Sequence, residues 1–397
     1  MWGHFMKLFQ RLLVAPAALG LISPIAVNAT EVNLNEISNF SELESIEVVN
    51  TFDDDQLNET LLLAGGEGLG DSSSYDGSFS ETTTASFSVD FAIGAVDGKG
   101  VTNSVTGSST TRDEGLQAVY GFQIDLNTSF TGEDSLDVSI DAGNGGTEAI
   151  SEFDGNSNGD GLAVDGVSYT FPIGEKVTAI VGDNTDGSAL FTTACVYGGP
   201  GNMLDDCGNV NAGITGGATT IGASYDVGGG FTTAFGAQTE NTSVFTDESG
   251  DAYALNAAYT ADDYGLSLTY GVVENAGLTD ENKFTALNAY YTPDGGGLPS
   301  ISVGYEIGDI GGAAAGADEQ ASFMIGLTWD EVGPGSAGIA AGHSNTNESA
   351  DELYQYEAYY SYPVNDGMTI TGVIGTREAT GDVDDTTMVG VKTSFSF

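Results

Sequence analysis

Apolar and polar residues alternate with a period of two along most of the chain after residue 81. In the segment YGLSLTYGV, one face carries Tyr264, Leu266, Leu268, Tyr270 and Val272. The opposite faces of this and similar segments, such as SFMIGLTW and SFSVDFAI, are mostly Gly, Ser, Thr, Ala and Asn. Alternation of this kind predicts β-strands with one apolar and one polar face. It predicts sixteen strands, near residues 82–94, 115–127, 134–142, 161–172, 175–183, 217–226, 230–239, 251–261, 263–274, 282–292, 299–308, 320–330, 335–343, 353–363, 367–376 and 386–397.

The polar faces are too small to fill a protein interior, and this decides between two all-β architectures. A β-sandwich would bury its apolar faces in a shared core. The chain instead predicts sixteen strands in hairpin order, with Tyr and Phe near their ends. This pattern fits a transmembrane β-barrel, which has an apolar outer wall around a polar interior. Because lipid offers the backbone no hydrogen-bond partner, such a sheet must close on itself. We therefore expect an all-β fold, a transmembrane antiparallel β-barrel of about 16 strands, over residues 82–397.

The connections between the predicted strands alternate between short and long. Short ones include TADDYG, DVGGGF and PVNDGM, and the third long one, near residues 184–216, is the longest. This alternation predicts short periplasmic turns and long extracellular loops. A barrel of this strand number encloses an aqueous channel rather than a packed interior.

The N-terminal residues predict export. Lys7 and Arg11 precede an apolar run that is too short to span a membrane and ends in the small-x-small pattern Val27-Asn28-Ala29. This predicts a signal peptide over residues 1–29 and, with the barrel, a protein of the bacterial outer membrane. Residues 30–81 are expected to form an acidic, loosely ordered segment on the periplasmic or lumenal side.

The charge balance excludes one class of partner and favours another. The chain has 58 acidic and 8 basic residues, and both basic residues of the signal would be removed with it, which leaves a net charge of −52. Nucleic-acid binding is excluded, because phosphate contacts need clustered Lys and Arg. Such acidity suits either a surface exposed to high salt or a preference for cations. On the polar faces of the strands, Asp90 and Glu357 add negative charge to the predicted lumen, and Lys392 is the clearest positive residue.

Both cysteines, Cys195 and Cys207, lie in the third long loop, in TTACVYGGPGNMLDDCGN. Two cysteines of an exported chain, 12 positions apart in one loop, predict a disulfide. Two free thiols are the alternative. The length of the loop resembles that of the loop which folds into the lumen of sixteen-stranded general porins. This resemblance makes Asp205 and Asp206 candidates for a pore constriction, where carboxylates select cations; the alternative is that they only solubilise a surface loop.

The chain ends inside a predicted strand, MVGVKTSFSF, whose apolar face carries Val389, Val391, Phe395 and Phe397. An unpaired edge at this position would invite aggregation, so we expect the last strand to pair with the first. The aromatic end of the strand resembles the assembly signal of bacterial outer-membrane barrels. That resemblance assigns Phe395 and Phe397 to assembly.

Four stretches carry a family resemblance: MKLFQRLLVAPAALGLISPIAVNA, LLLAGGEGL, GFQIDLNTSFTGEDSLDVSIDAGNG and GVSYTFPIGEKVTAIVGD. They resemble cyanobacterial outer-membrane porins, also called iron-uptake porins, which are distantly similar to carbohydrate-selective porins. The resemblance implies passive diffusion of small solutes and inorganic ions, iron included, through a homotrimer in outer-membrane lipid. Members of the family often carry a surface-layer-homology domain before the barrel. Residues 30–81 are too few for one, so we do not expect anchoring to peptidoglycan.

Other motifs give weaker signals. The stretch DGNSNGDGLAVD, residues 154–165, approaches the ligand spacing of a calcium-binding EF-hand loop, but Asp165 stands where Glu is usual and no helices flank it. His343 is the one histidine after the signal, and nothing in the sequence surrounds it with a catalytic set. We expect no catalytic residue, metal site or cofactor. A porin is therefore the leading interpretation, and a barrel-borne adhesin or receptor is the alternative.

Overall fold

A computed structural model describes residues 83–98, 101–102, 109–110, 115–146, 149–153, 155–239, 250–274, 280–295, 297–347, 352–379 and 385–397. The predicted signal peptide, residues 1–29, and the N-terminal segment, residues 30–81, lie outside the described residues.

The described residues contain eighteen strands, of which sixteen form one closed barrel. Each barrel strand pairs antiparallel with its neighbours along the chain, and the last pairs with the first. The barrel strands are β1 (Thr83–Asp97), β4 (Gly115–Thr128), β5 (Ser135–Gly143), β6 (Ala163–Ile173), β7 (Val177–Thr185), β8 (Ala218–Gly228), β9 (Phe231–Thr239), β10 (Ala252–Thr260), β11 (Tyr264–Glu274), β12 (Glu281–Tyr291), β13 (Ser300–Asp309), β14 (Glu319–Val332), β15 (Gly335–Asn347), β16 (Gln355–Asn365), β17 (Met368–Arg377) and β18 (Thr386–Ser396). Two short strands, β2 (Val101–Thr102) and β3 (Ser109–Thr110), pair within the first long connection.

The predicted strands are confirmed, all sixteen in the predicted order. The largest difference in a bound is at β15, which continues to Asn347 instead of ending near residue 343. Pairing with β14 carries these extra residues, since Thr346 pairs with Ala321 and Asn347 with Gln320. The C-terminal end of β15 is therefore set by pairing with β14, and the pattern within a single strand does not contain that information.

The apolar faces point outward and the small polar faces point into the lumen. On β10, β11 and β12 the leucines Leu255, Leu268 and Leu287 are 58%, 50% and 55% exposed. Their neighbours along each strand, such as Asn256, Ser267 and Asn288, are buried inside the barrel. A continuous apolar belt of this extent on the outside of a barrel suits lipid rather than water.

The connections alternate between short turns at one rim and long loops at the other, as predicted. The short-turn rim is formed by residues 129–134, 174–176, 229–230, 261–263, 292–295, 297–299, 333–334 and 366–367. The third long loop, which we call the third loop, comprises residues 186–217. Among the described residues the only helical element is a 3-10 turn, Ala149–Glu152, and no helix there is long and apolar enough to cross a membrane.

The pairing of β18 with β1 closes the barrel. The register runs from Ser88 opposite Ser396 to Asp97 opposite Thr387. Beyond it, the backbone N–H of Phe87 donates to the carbonyl of Phe397 at 2.9 Å, and that of Phe397 donates to the carbonyl of Phe87 at 3.0 Å. The final residue of the chain therefore belongs to the closing seam.

Candidate functional site

The third loop folds into the barrel and follows the lumenal wall from β9 to β16. Its backbone N–H groups donate to side chains that point inward from the strands. The bonds join Gly187 to Gln238 Oε1 at 3.1 Å, Thr192 to Asn256 Oδ1 at 3.1 Å, Ala194 to Ser267 Oγ at 2.9 Å, Val196 and Tyr197 to Ser302 Oγ at 2.9 and 3.0 Å, and Asn211 and Ala212 to Glu306 Oε2 at 2.8 and 2.7 Å. The small polar faces of the strands are thus the partners that satisfy the backbone of an inserted loop, as buried polar groups require.

Apolar contacts hold the middle of the third loop against β14 to β17. Tyr197, Met203 and Leu204 are buried in a cluster that also contains Met324 and Tyr359 of the wall. The Tyr197 hydroxyl donates to Oε1 of Glu357 at 2.7 Å. Glu357, predicted to add charge to the lumen, therefore lies buried beneath the loop rather than in the open water.

Cys195 and Cys207 form a disulfide within the third loop, with their Cα atoms 6.4 Å apart. The Cys207 carbonyl also accepts a hydrogen bond from the side-chain amide of Asn288 at 2.8 Å. The bridge links the segment that carries Tyr197 to the segment that carries Asp205 and Asp206, so both segments are fixed to one another and to the wall.

Asp205 and Asp206 follow the buried Leu204 and are exposed to the solvent inside the barrel. The structure therefore brings the two predicted carboxylates into the lumen. Desolvation by the surrounding wall raises the pKa of Asp205. The same effect, strengthened by the charges of Asp205, Glu306 and Asp186, raises the pKa of Asp206 to about 7.

A second group of carboxylates lies beside the start of the third loop, on the neighbouring strands β4, β5 and β6. Asp137 of β5, Asp165 of β6 and Asp186 at the start of the third loop line a cavity of about 440 Å³. Asp125 of β4 and Asp141 of β5 lie on the same inward face as Asp137, since Asp125 pairs with Ser139 and Asp141 with Gln123. The Ser139 hydroxyl also donates to Oδ1 of Asp125 at 2.7 Å. Sequence reasoning missed this group, although period two in GFQIDLN and SLDVSID already places Asp125, Asp137 and Asp141 on polar faces.

The basic residues that point into the described part of the lumen are paired with carboxylates. Lys392 Nζ lies 3.7 Å from Oδ1 of Asp90, across the seam between β18 and β1. Arg377 Nη1 lies 3.3 Å from Oε1 of Glu152. Sequence reasoning placed Lys392 and Asp90 in the lumen correctly, but it missed Arg377, because the predicted strand ended one residue short of it.

Neither the calcium-like stretch, residues 154–165, nor His343 forms part of a metal site among the described residues. Asp154 lies outside the described residues, Asn158 donates to Oδ1 of Asp141 at 2.6 Å, and the Tyr120 hydroxyl donates to Asp160 at 2.8 Å. The side chains of the calcium-like stretch thus point to separate partners. His343 lies on the outer wall, where its ring contacts those of Phe323 and Tyr354. Among the described residues, no group of three His, Cys, Asp or Glu is arranged to hold a metal ion.

The same fold occurs in solved structures of bacterial outer-membrane proteins. OprB of Pseudomonas putida superposes with a TM-score of 0.58 at 14% identity, over 80% of this chain and 94% of that one. A double mutant of Rh. blastica porin gives 0.54 at 16% identity, over 79% and 100% of the two chains. OmpTdeltaL8, a loop deletion mutant of the outer membrane protein OmpT of Vibrio cholerae, gives 0.52 at 11% identity, over 80% and 100%.

These identities are low, so the similarity is one of fold. It supports the sixteen-stranded porin architecture that the alternation predicted. No family model matches the sequence, and no curated protein does.

Proposed function

We propose that this protein is an outer-membrane porin, an aqueous channel for the passive diffusion of small hydrophilic solutes and inorganic ions, with a preference for cations. The observation that carries the proposal is the third loop, which lies inside a closed barrel and is bonded to its wall by inward-facing side chains. A loop held this way narrows a lumen without relying on a partner or a ligand. The fold shared with Rh. blastica porin supports the same function.

The cation preference follows from the sign of the charges on the two sides of the remaining passage. The third loop contributes Asp186, Asp205 and Asp206, and the wall strands β4, β5 and β6 contribute Asp125, Asp137, Asp141 and Asp165. A carboxylate about 4 Å from an ion in water attracts a cation by about 1 kcal/mol and repels an anion by as much. A single carboxylate thus separates the two ions by about 2 kcal/mol, a factor of roughly 30.

The paired state of Lys392 and Arg377 strengthens this preference. A basic side chain next to a carboxylate adds little net charge to the passage, so it offers little attraction to an anion. Screening over about 8 Å at physiological ionic strength weakens the contribution of carboxylates at the long-loop rim. Cation preference that survives high salt is therefore assigned to the narrow part of the lumen, with Asp205 and Asp206 as the candidate constriction residues.

Several finer features belong to the same proposal. Residues 1–29 act as a signal peptide, the mature protein is a homotrimer, and Phe395 and Phe397 serve assembly. Inorganic ions, iron among them, are the solutes that the resemblance to iron-uptake porins suggests, and sugars are suggested by the more distant resemblance to carbohydrate-selective porins. Radioactive iron uptake by vesicles that contain the protein, compared with empty vesicles, tests the iron assignment.

Conductance in planar bilayers tests the function directly. The purified barrel is expected to form channels whose reversal potential in a KCl gradient has the sign of cation preference. The double variant Asp205→Asn, Asp206→Asn should lower the cation-to-anion permeability ratio, most visibly at high salt. The matched control is Asp262→Asn, Asp263→Asn, which neutralises two adjacent carboxylates in a turn at the short-turn rim.

Each outcome separates one part of the proposal from another. A folded barrel that never conducts would refute the porin and leave the adhesin or receptor, which a plugged lumen and a captured partner would support. Anion preference of the wild type would refute the selectivity but not the channel. Equal ratios in the double variant and the wild type would remove only Asp205 and Asp206 from the constriction.

A further inference from the structure

A second piece of chain enters the lumen beside the third loop. It is the inserted turn, residues 149–153, from the connection between β5 and β6. Ile150 and Phe153 are both 0% exposed, and they belong to the same buried cluster as Tyr197 and Met203 of the third loop. The backbone N–H of Ile150 donates to Oε1 of Gln117 on β4 at 3.1 Å. The inserted turn is thus packed and bonded against the inner wall.

The wall carries a notch that fits the inserted turn. Gly94 of β1 and Gly390 of β18 are paired across the closing seam and point inward there. A Cβ atom on Gly94 would lie 2.7 Å from Cδ1 of Ile150. A Cβ atom on Gly390 would lie 3.1 Å from that atom and 3.2 Å from Cε2 of Phe153. The turn therefore fills the space that side chains at these two positions would take. The seam itself also needs both glycines, since a Cβ atom on Gly94 would lie 2.5 Å from the carbonyl oxygen of Val389 and one on Gly390 would lie 3.0 Å from that of Ile93.

The inserted turn also contacts the third loop directly. The backbone N–H of Asn202 donates to the carbonyl of Glu152 at 2.8 Å. On its other side the same stretch of the third loop is held by the bond from Tyr197 to Glu357. The part of the third loop between Tyr197 and Asn202 is therefore clamped between the barrel wall and the inserted turn, immediately before Asp205 and Asp206.

The side chain of Glu152 forms an ion pair with a basic residue of the lumenal wall, Arg377. Its carboxylate lies 3.3 Å from the Arg377 guanidinium, and the two side chains are only 16% and 24% exposed. Arg377 also donates weakly to Gln355 at 3.4 Å, which is a neutral partner. Glu152 is therefore the carboxylate that offsets the positive charge of Arg377 at this point in the lumen.

We propose that the inserted turn is a specificity-determining element of the channel: it holds the third loop in its narrowing position through Asn202, and through Glu152 it masks Arg377 from passing anions. The proposal deepens the porin function and rests on it. A turn that merely filled space would give the same packing but would not influence selectivity through a single charge.

The first experiment removes only the masking charge. Glu152→Gln keeps the shape of the side chain and leaves the backbone carbonyl that Asn202 uses. Once Arg377 loses this carboxylate partner, the cation-to-anion permeability ratio should fall severalfold, and Glu152→Gln with Arg377→Gln should restore it. The matched control is Glu281→Gln, which breaks the pair with Lys283, 3.8 Å away at the outer end of β12, and should leave the ratio unchanged.

The second experiment displaces the inserted turn. Gly390→Val places a side chain in the notch, where its Cβ atom would lie 3.1 Å from Cδ1 of Ile150 and 3.0 Å from the carbonyl oxygen of Ile93. Valine itself favours strands. The variant should increase the single-channel conductance and speed the cleavage of the third loop by protease in detergent-folded barrels. The control is Gly372→Val on the outward face of the adjacent strand β17, where an added Cβ meets no atom within 4 Å and cannot reach the inserted turn. Heat-modifiable migration checks that both variants fold.

The outcomes are separable from those of the porin proposal. A permeability ratio unchanged by Glu152→Gln, or one that the Arg377→Gln change fails to restore, would overturn the masking role. Equal protease cleavage and conductance in the Gly390→Val and Gly372→Val barrels would overturn the positioning role. Should the wild type not conduct, the porin proposal fails, while the protease comparison still decides whether the inserted turn holds the third loop.

Discussion

The ring of Phe397, the last residue of the chain, stacks on that of Phe87 with centroids 5.7 Å apart and planes 10° from parallel. Phe395 meets Phe91 edge to face at 6.3 Å on the same outer surface. Aromatic pairs of this kind contribute about 0.5–1.5 kcal/mol beyond the area they bury. The two aromatic residues of the C-terminal strand therefore fasten the last strand to the first, on the outside of the closing seam.

Removal of Phe397 is expected to impair assembly of the barrel. Deletion takes away both backbone hydrogen bonds to Phe87 and the ring stack, at the point where the sheet closes. The yield of heat-modifiable barrel on gels measures the effect. The control is Phe231→Ala. It removes an exposed aromatic ring near the short-turn rim, where Phe397 also lies, but away from the closing seam. A truncated chain that folds with normal yield would contradict the prediction.

The disulfide is expected to be present in the exported protein. Intact-mass analysis of the unreduced, unfolded chain after thiol alkylation should show no added alkyl group. Closing a loop of this length stabilises a fold by about 3 kcal/mol in the chain-entropy view. Cys195→Ser with Cys207→Ser should therefore make the third loop easier to cleave by protease while the barrel still forms. Alkylation of both thiols in the wild type would show that the bond is absent.

The cation preference is expected to rise with pH around neutrality. Desolvation by the surrounding wall, together with the charges of Asp205, Glu306 and Asp186, raises the pKa of Asp206 to about 7. Asp206 is therefore largely neutral below that pH and negatively charged above it, so the permeability ratio should grow as the pH increases through about 7. Reversal potentials measured across this range test the sign. The Asp206→Asn channel should show a flatter profile, and a flat profile in the wild type would count against the assignment.

A carboxylate at the short-turn rim is expected to stabilise the barrel in a pH-dependent way. Asp134 accepts bonds from the Tyr169 hydroxyl at 2.6 Å and from the N–H groups of Phe130 and Thr131 at 2.9 and 2.7 Å. The hydrogen bond from Tyr169, ahead of those from Thr131 and Ser129, lowers the pKa of Asp134 well below its usual range.

Because the pKa of Asp134 is depressed in the folded state, its contribution is present above the unfolded pKa of about 3.9 and is lost as the pH falls through the folded value. Asp134→Asn should therefore lower the temperature of heat modification at neutral pH, and the difference from the wild type should shrink in strong acid. Asp262→Asn, in another turn of the same rim, is the control. A difference that does not change with pH would indicate a loss of packing rather than of charge.

The alternation along the chain was enough to predict the barrel, its strands and its seam. In YGLSLTYGV the outward leucines and inward serine and threonine are where period two places them, because lipid outside and water inside impose opposite requirements on successive residues. The same rule placed Lys392 and Asp90 in the lumen. It also places Asp125, Asp137 and Asp141 on polar faces, but only the closed sheet brings these faces together with Asp165 and Asp186.

The tertiary structure alone decided what fills the lumen. Tyr197 bonds to Glu357, 160 positions along the chain, and Arg377 pairs with Glu152 of a turn that carries no regular pattern. In a strand the facing direction repeats every two residues, so the direction of one side chain predicts that of its neighbours. Loops do not repeat, and their course depends on which wall residues lie opposite once the sheet has closed. The sequence by itself therefore determined the barrel, whereas the position of the two lumenal loops and the masking of Arg377 were decided by contacts that exist only after closure.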